Sequence, residues 1–420
     1  MSDIRRTRLD SGLEIVTDPM ETVETVSLGV WVDAGTRHEP AAINGVSHLL
    51  EHMAFKGTGR RSARDIAEEM DAVGGHLNAY TARDHTAYYA KVLKEDAPLA
   101  LDIVADILQH STLDPEELAR EQAVVVQEIS QAIDTPDDII FDHFQATAYP
   151  DQPLGRPVLG TEELVRSMTR DTVLTYMRTH YSAPNMVLAA AGRIDHDRLV
   201  ESAERAFSAL PVARQTTTTL ANYVGGDFRE DRDIEQVNLL LGFEGVAYSD
   251  PDYYAASVLS TLLGGGMSSR LFQEVREKRG LVYSIYSFTS SYSDGGLFGV
   301  YAGSGEDEVA ELIPVLCDEI VTVTEGVRDI EVDRARAQLK ASILMGLEST
   351  TARCEQIARQ MVIYGRPVSV DEVVSKILAV TADDVAAVAR RLFAGTPTIA
   401  ALGPLGKVES FEAIANRLKM

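Results

Sequence analysis

Residues 168–192, MTRDTVLTYMRTHYSAPNMVLAAAG, have a second version at 380–403, VTADDVAAVARRLFAGTPTIAALG. Both read as a helix followed by a strand, and their closing glycines, Gly192 and Gly403, lie 211 residues apart. The repeat continues outward. Between Lys94 and Ile129 run a helix, a break at Thr112-Leu113-Asp114-Pro115 and a second long helix, and the same order recurs between Gly305 and Ile343. The strand Thr86–Val92 has a counterpart in Gly296–Ala302. Self-similarity on this scale predicts two domains of one fold, and 420 residues are enough for two. The boundary is expected in the polar run Gln215-Thr216-Thr217-Thr218-Thr219, giving domains 1–213 and 222–420. Each half opens with alternating strands (Glu14 to Val32, Gln236 to Phe243), continues into helices and ends strand after helix. This predicts an α+β class, with a mostly antiparallel sheet backed by helices in each domain.

Composition narrows the function. Apolar residues make up 45% of the chain, ample for large cores, but no run reaches the ~18 apolar residues of a membrane span. The basic stretch Met1 to Arg8 is not followed by the apolar segment of a secretory signal, so a cytoplasmic location is expected. Two cysteines, Cys317 and Cys354, make no disulfide framework and sit in apolar, helical-looking segments, where a core role is expected. A net charge of -25 argues against nucleic acid. Plain solubility is the first expectation for such a charge, and it would also favour cationic partners such as basic peptides through long-range steering.

The chemistry concentrates in His48-Leu49-Leu50-Glu51-His52. On a helix, i and i+4 share a face, so two imidazoles reach one metal ion with a carboxylate beside them. Two nitrogen ligands and a nearby base form the core of a zinc hydrolase of the H-x-x-E-H order. The flanks, Gly45-Val46-Ser47 and Met53-Ala54-Phe55, are mostly apolar, and buried polar groups need partners that a metal would supply. All nine histidines lie between His38 and His196, and the counterpart segment Val258 to Leu263 carries no metal ligand. One half is thus expected to be catalytic and the other to keep the fold for another task. A catalytic zinc usually takes a third protein ligand. Glu121 and Glu128, seven apart on one face of the expected helix Pro115–Ala132, are both candidates, with a slight preference for Glu128 because Val124, Val125 and Val126 surround it.

Several motifs occur in a fixed order: GTRHEP (35–40), GVSHLLEHMAFKGT (45–58), GGHLNAYTARDHTAYY (74–89), EQAVVVQEI (121–129) and LLGGGMSSRLFQEVREKRGLVYSI (262–285). Together they resemble the pitrilysin/insulinase family of zinc metallopeptidases (M16). The match is to the branch of mitochondrial processing peptidase and its short bacterial relatives, and it covers nearly the whole chain. The resemblance implies a processing-peptidase-like fold and a third ligand 76 positions after the second histidine, which is Glu128. It implies Glu121 as a supporting residue, Glu51 as general base and one Zn2+ per chain. It further implies an edge strand on which Asn78 and Ala79 contact an extended peptide substrate, while Phe55 is expected either to line a pocket beside the metal or to pack in the core. Arg276 and Tyr283 would come from the second domain to contact the peptide near the scissile bond. His76 and His85, open as ligands on the residues alone, become non-ligands. Gly264-Gly265-Gly266 reads as a substrate-facing loop or a simple helix break.

Longer relatives join four such domains around a chamber, and the short branch reaches four by pairing chains. A homodimer with an active site shared between chains is therefore expected, acting on unfolded or presequence-like, possibly basic, peptides, with no nucleic-acid or membrane partner. Two rivals stand beside this reading. One is a non-catalytic or regulatory subunit of a two-chain processing peptidase. The other is a small-molecule zinc hydrolase like the thioether hydrolase of quorum-signal synthesis, which is far shorter and not duplicated.

Overall fold

The computed structural model describes residues 4–213 and 218–419. Residues 215–217 of the expected boundary run lie outside the described residues. The chain forms two compact units. In the first, β1 (Arg5–Arg8), β2 (Glu14–Pro19), β3 (Thr25–Val32), β4 (His76–Thr81), β5 (Thr86–Leu93) and β6 (Met186–Gly192) make one sheet in the order β1-β2-β6-β3-β5-β4. Only the β2–β6 pair is parallel. In the second, β7 (Gly226–Asp231), β8 (Val237–Glu244), β9 (Val282–Ser291), β10 (Gly296–Ser304) and β11 (Thr398–Gly403) follow β7-β11-β8-β10-β9, with only β7–β11 parallel. Exchange β2, β6, β3, β5 and β4 for β7, β11, β8, β10 and β9 and the two orders coincide, with β1 an added edge strand of the first sheet. The fold is α+β, built twice.

The duplication reaches single residues. Thr169 and Thr381 cap the two repeated helices, Arg170–His180 and Ala382–Phe393, by accepting the Thr172 and Asp384 amides. Such a cap contributes about 1 kcal/mol. Gly192 and Gly403 end β6 and β11 at φ +115° and +131°, and a Cβ on either would lie 2.2 Å from a carbonyl oxygen, Thr25 O or Gln236 O. Only glycine fits that backbone at that distance.

Two helices cross over from the linear halves. Pro136–Ala148 belongs to the second unit, packing Ile140, Phe144 and Ala148 against Leu240, Tyr301 and Ala400. Thr350–Tyr364 belongs to the first, packing Cys354, Ile357, Ala358 and Met361 against Val16, Trp31 and Ala189. It is latched there by Arg353 on Asp18 at 3.0 Å and by Thr350 on Ser27 at 2.9 Å. The compact units therefore do not follow a single cut between 213 and 222; segments 131–155 and 345–368 are exchanged. The exchange explains why β3 is buried from Val26 to Val32, on both faces. Val26, Leu28, Val30 and Val32 face one helical layer, while Trp31 faces the incoming helix. Both cysteines are buried and free, as the core reading expects. Among the described residues no helix is long and apolar enough to cross a membrane.

Candidate metal centre

The motif lies on the helix Val46–Ala54, whose N-cap, Gly45, has no side chain to offer. The buried Glu39 carboxylate takes over, accepting the Ser47 amide at 2.7 Å, the Gly45 amide at 2.8 Å and Asn44 Nδ2 at 2.8 Å. Burial pushes the Glu39 carboxyl up, and these hydrogen bonds pull against it. Leu49, Leu50 and Met53 are fully buried in the core, which turns His48, Glu51 and His52 to the helix's half-buried side.

Glu128 reaches the same point from the helix Pro115–Ile133. Its Oε2 is 3.6 Å from His48 Nε2 and 3.5 Å from His52 Nε2, and the two rings meet edge-on with centroids 4.7 Å apart. Among the described residues these three form the one group whose ligand-type atoms all lie within 4.8 Å of one another. Burial, with His52 alongside, pulls His48 down to about 4, so its ring is neutral at pH 7 with a lone pair to donate. Two imidazole nitrogens and one carboxylate oxygen are a donor set that fits zinc.

Glu121 stands behind the cluster. Its Oε2 is 3.0 Å from His52 Nδ1 and its Oε1 is 2.7 Å from Lys56 Nζ. The carboxylate thereby sets the His52 ring with Nε2 toward Glu128, the way outer partners orient metal ligands. The sequence reading passed over Lys56, although it lies four residues beyond His52 in the same motif, just past the end of the helix. It also passed over Thr81, whose hydroxyl donates to Glu51 Oε2 at 2.6 Å. Strand alternation places Leu77, Ala79 and Thr81 on the face of β4 toward this helix, with Tyr80 opposite on the face that meets Thr350–Tyr364. Burial pushes the Glu51 carboxyl up, while the Thr81 hydroxyl and His52 pull it down.

β4 is an edge strand. Ala79 is buried, whereas Asn78 is exposed and its Oδ1 accepts the Ala79 amide at 2.8 Å. Phe55 is half-buried against the core, its ring 6.3 Å from Tyr88. His76 is exposed, His85 is bound to the Tyr80 hydroxyl at 2.9 Å, and neither joins the metal group.

In the second unit the positions 211 residues beyond His48, His52, Glu121 and Glu128 are Leu259, Leu263, Val332 and Leu339, all packed in or against the core. The fold is kept there and the donors are gone. Arg276 is exposed on the π-helical turn Phe272–Glu277, its guanidinium 5.0 Å from the Phe272 ring centre. Tyr283 is 65% exposed at a bulge in the edge strand β9, where Val282 pairs with Ser304 and Ser284 with Gly303. Bulges re-aim side chains, and this one frees Tyr283 from the ladder. Gly264 and Gly265 end the helix Tyr253–Gly264, and a Cβ on Gly264 would lie 2.4 Å from Ser287 N. The first two glycines are thus a helix break packed on β9.

Residues 14–162 match the family profile described as insulinase (peptidase family M16), and residues 167–339 match the peptidase M16 inactive domain. An uncharacterised zinc protease of Streptomyces coelicolor is 43% identical over 412 residues, which are 96% of this chain and 90% of that protein. A probable mitochondrial-processing peptidase subunit beta of Arabidopsis thaliana is 38% identical over 431 residues, 99% of this chain and 81% of that one. The crystal structure of a protease from Helicobacter pylori shares the fold, with a TM-score of 0.89 at 23% identity over 96% of this chain and 100% of that one. The chain belongs to the insulinase family of zinc metallopeptidases, peptidase family M16, in its mitochondrial-processing-peptidase-like branch.

Proposed function

We propose that this metallopeptidase is a zinc-dependent endopeptidase of extended or unfolded peptides, with one zinc per chain held by His48, His52 and Glu128 and with Glu51 as general base. The observation that carries the reading is the convergence of those three donors from two helices, with Glu51 one residue before a ligand. Zinc, when bound, supplies the Lewis acid that acidifies water toward neutrality and polarises the scissile carbonyl. Glu51 then has a defined task. Its Oε2 is taken by Thr81, which leaves Oε1 to receive the proton and to pass it to the leaving amine. Glu121 and Lys56 hold the His52 ring in place throughout.

The open edge of β4 offers backbone groups to an added strand, which gives sequence-tolerant binding of extended peptides at Asn78 and Ala79. The net charge of -25 favours basic ones. Tyr283 would stabilise the developing oxyanion and Arg276 would bind a substrate carbonyl or carboxylate. Because one chain carries both the metal residues and this pair, we assign it a homodimer in which they act in trans inside a clamshell chamber. A complete donor set counts against a purely regulatory subunit. The test is Glu51→Gln, assayed for bound zinc and for cleavage of a quenched peptide. Zinc should stay and hydrolysis should fall by several orders of magnitude; full turnover would remove Glu51 from the mechanism.

A further inference from the structure

The second unit holds a cavity of about 810 Å³ that no step above uses. Its wall comes from the turn Met267–Arg270, the π-helical turn behind it, the helix Val309–Glu325 and the start of the helix Asp329–Gly346. On a chain of net charge -25, this lining carries four cations, Arg270, Lys278, Arg328 and Arg334, against three acids, Glu274, Glu319 and Glu331.

Most of that charge is already committed. Glu331 accepts from Arg270 at 3.0 and 3.1 Å and from Arg328 Nε at 3.1 Å. Glu274 pairs with Lys278, and with Arg279 at 3.0 Å. Arg334 is different. Among the described residues it pairs with no carboxylate, and its hydrogen bond goes to the Ile330 carbonyl at 3.3 Å. A small adjoining void of about 10 Å³ shares Ser268, Ser269, Glu331 and Arg334 with the cavity. Ser269 is 5% exposed, and its Oγ has no hydrogen-bond partner among the described residues. An exposed guanidinium without a carboxylate partner and a buried, unsatisfied hydroxyl thus line the same voids as a saturated acid, Glu331. Glu319, also in the lining, is its one acid without an ion pair among the described residues, and burial pushes its carboxyl up. In the first unit the arginines after the motif helix, Arg60 and Arg61, are instead paired with Asp102 and Asp106.

We propose that this cavity binds an oxyanion group, a carboxylate or a phosphate, held by the Arg334 guanidinium with the Ser268 and Ser269 hydroxyls. Arginine presents a planar fork of donors that matches both groups. Two sources carry this chemistry, a peptide acid and a phosphorylated small molecule, and the site stands whether or not the peptidase reading does.

Titration calorimetry on the full chain tests it with three probes: inorganic phosphate, a short peptide with a free C-terminal carboxylate, and the same peptide amidated. The acid peptide, phosphate or both should bind saturably and the amide should not; which of the two binds identifies the source. Arg334→Gln should weaken binding roughly tenfold or more, the range of a lost charge-assisted hydrogen bond. Ser268→Asp, which adds a negative charge to the wall, should also weaken it, and Arg64→Gln, an exposed arginine of the first unit that does not line the cavity, should not. No saturable binding of either anion, or unchanged affinity in both cavity variants, overturns the assignment.

Discussion

Replacing Thr81 by Val removes the hydroxyl that donates to Glu51 Oε2 at 2.6 Å while keeping the branched shape at the end of β4. The sign follows from the opposing influences on Glu51. Burial disfavours its ionised form, and the Thr81 hydroxyl offsets part of that by stabilising the carboxylate. Without the hydroxyl, burial acts with less opposition, so the base is protonated up to a higher pH. A hydrogen bond to a charged group contributes about 1.5–3 kcal/mol, and the half-exposed setting of Glu51 argues for the lower end. At about 1.4 kcal/mol per tenfold, the loss in kcat/KM on the acid limb is roughly tenfold. At high pH, where the carboxylate is ionised either way, the loss is smaller. The assay is the pH profile of kcat/KM for Thr81→Val and Thr81→Ser against the parent. The valine variant should shift the acid limb to higher pH, and the serine variant should restore it. An acid limb in the same place for Thr81→Val would show that this contact does not tune the base.

Lys56→Met leaves Glu121 without its second partner at 2.7 Å and loosens the His52 ring. Zinc affinity measured against a chelator should drop about 10–100-fold, as is usual when outer partners of a ligand are lost. The Arg276→Ala/Tyr283→Phe double variant should keep its zinc and lose kcat, since neither residue belongs to the metal group. Mixed with Glu51→Ala chains it should regain part of the activity; confirmed mixed dimers with no regain would contradict the trans arrangement.

Much of the fold could be read because its signals are local. The helix–strand repeat ending at Gly192 and Gly403 depends on helical and strand periodicity and on two glycines with positive φ, all visible along the chain. Sheet order was out of reach, because strand neighbours such as β3 and β6 are more than 150 residues apart and are chosen by packing of whole layers. β1, with the sequence RRTR, has no apolar face to announce it. The exchange of Pro136–Ala148 and Thr350–Tyr364 was equally hidden, since an amphipathic pattern says that a face is buried and not which sheet buries it. The site shows the same division. His48, Glu51 and His52 share one turn and could be read from spacing, and Glu128 followed from the family's count. Thr81 could be placed with Ala79 by strand alternation, yet only the assembled fold brings it against Glu51. Lys56 was legible in principle, at i+4 from His52, and its meaning emerged only once Glu121 stood between them.

The central claim is that two imidazoles and one distant carboxylate hold a single metal ion in the first unit. Metal analysis of the purified chain beside its His48→Ala, His52→Ala and Glu128→Gln variants tests it most directly. One zinc per parent chain and far less than one in each variant is the predicted result. Stoichiometric zinc retained in all three variants would contradict it.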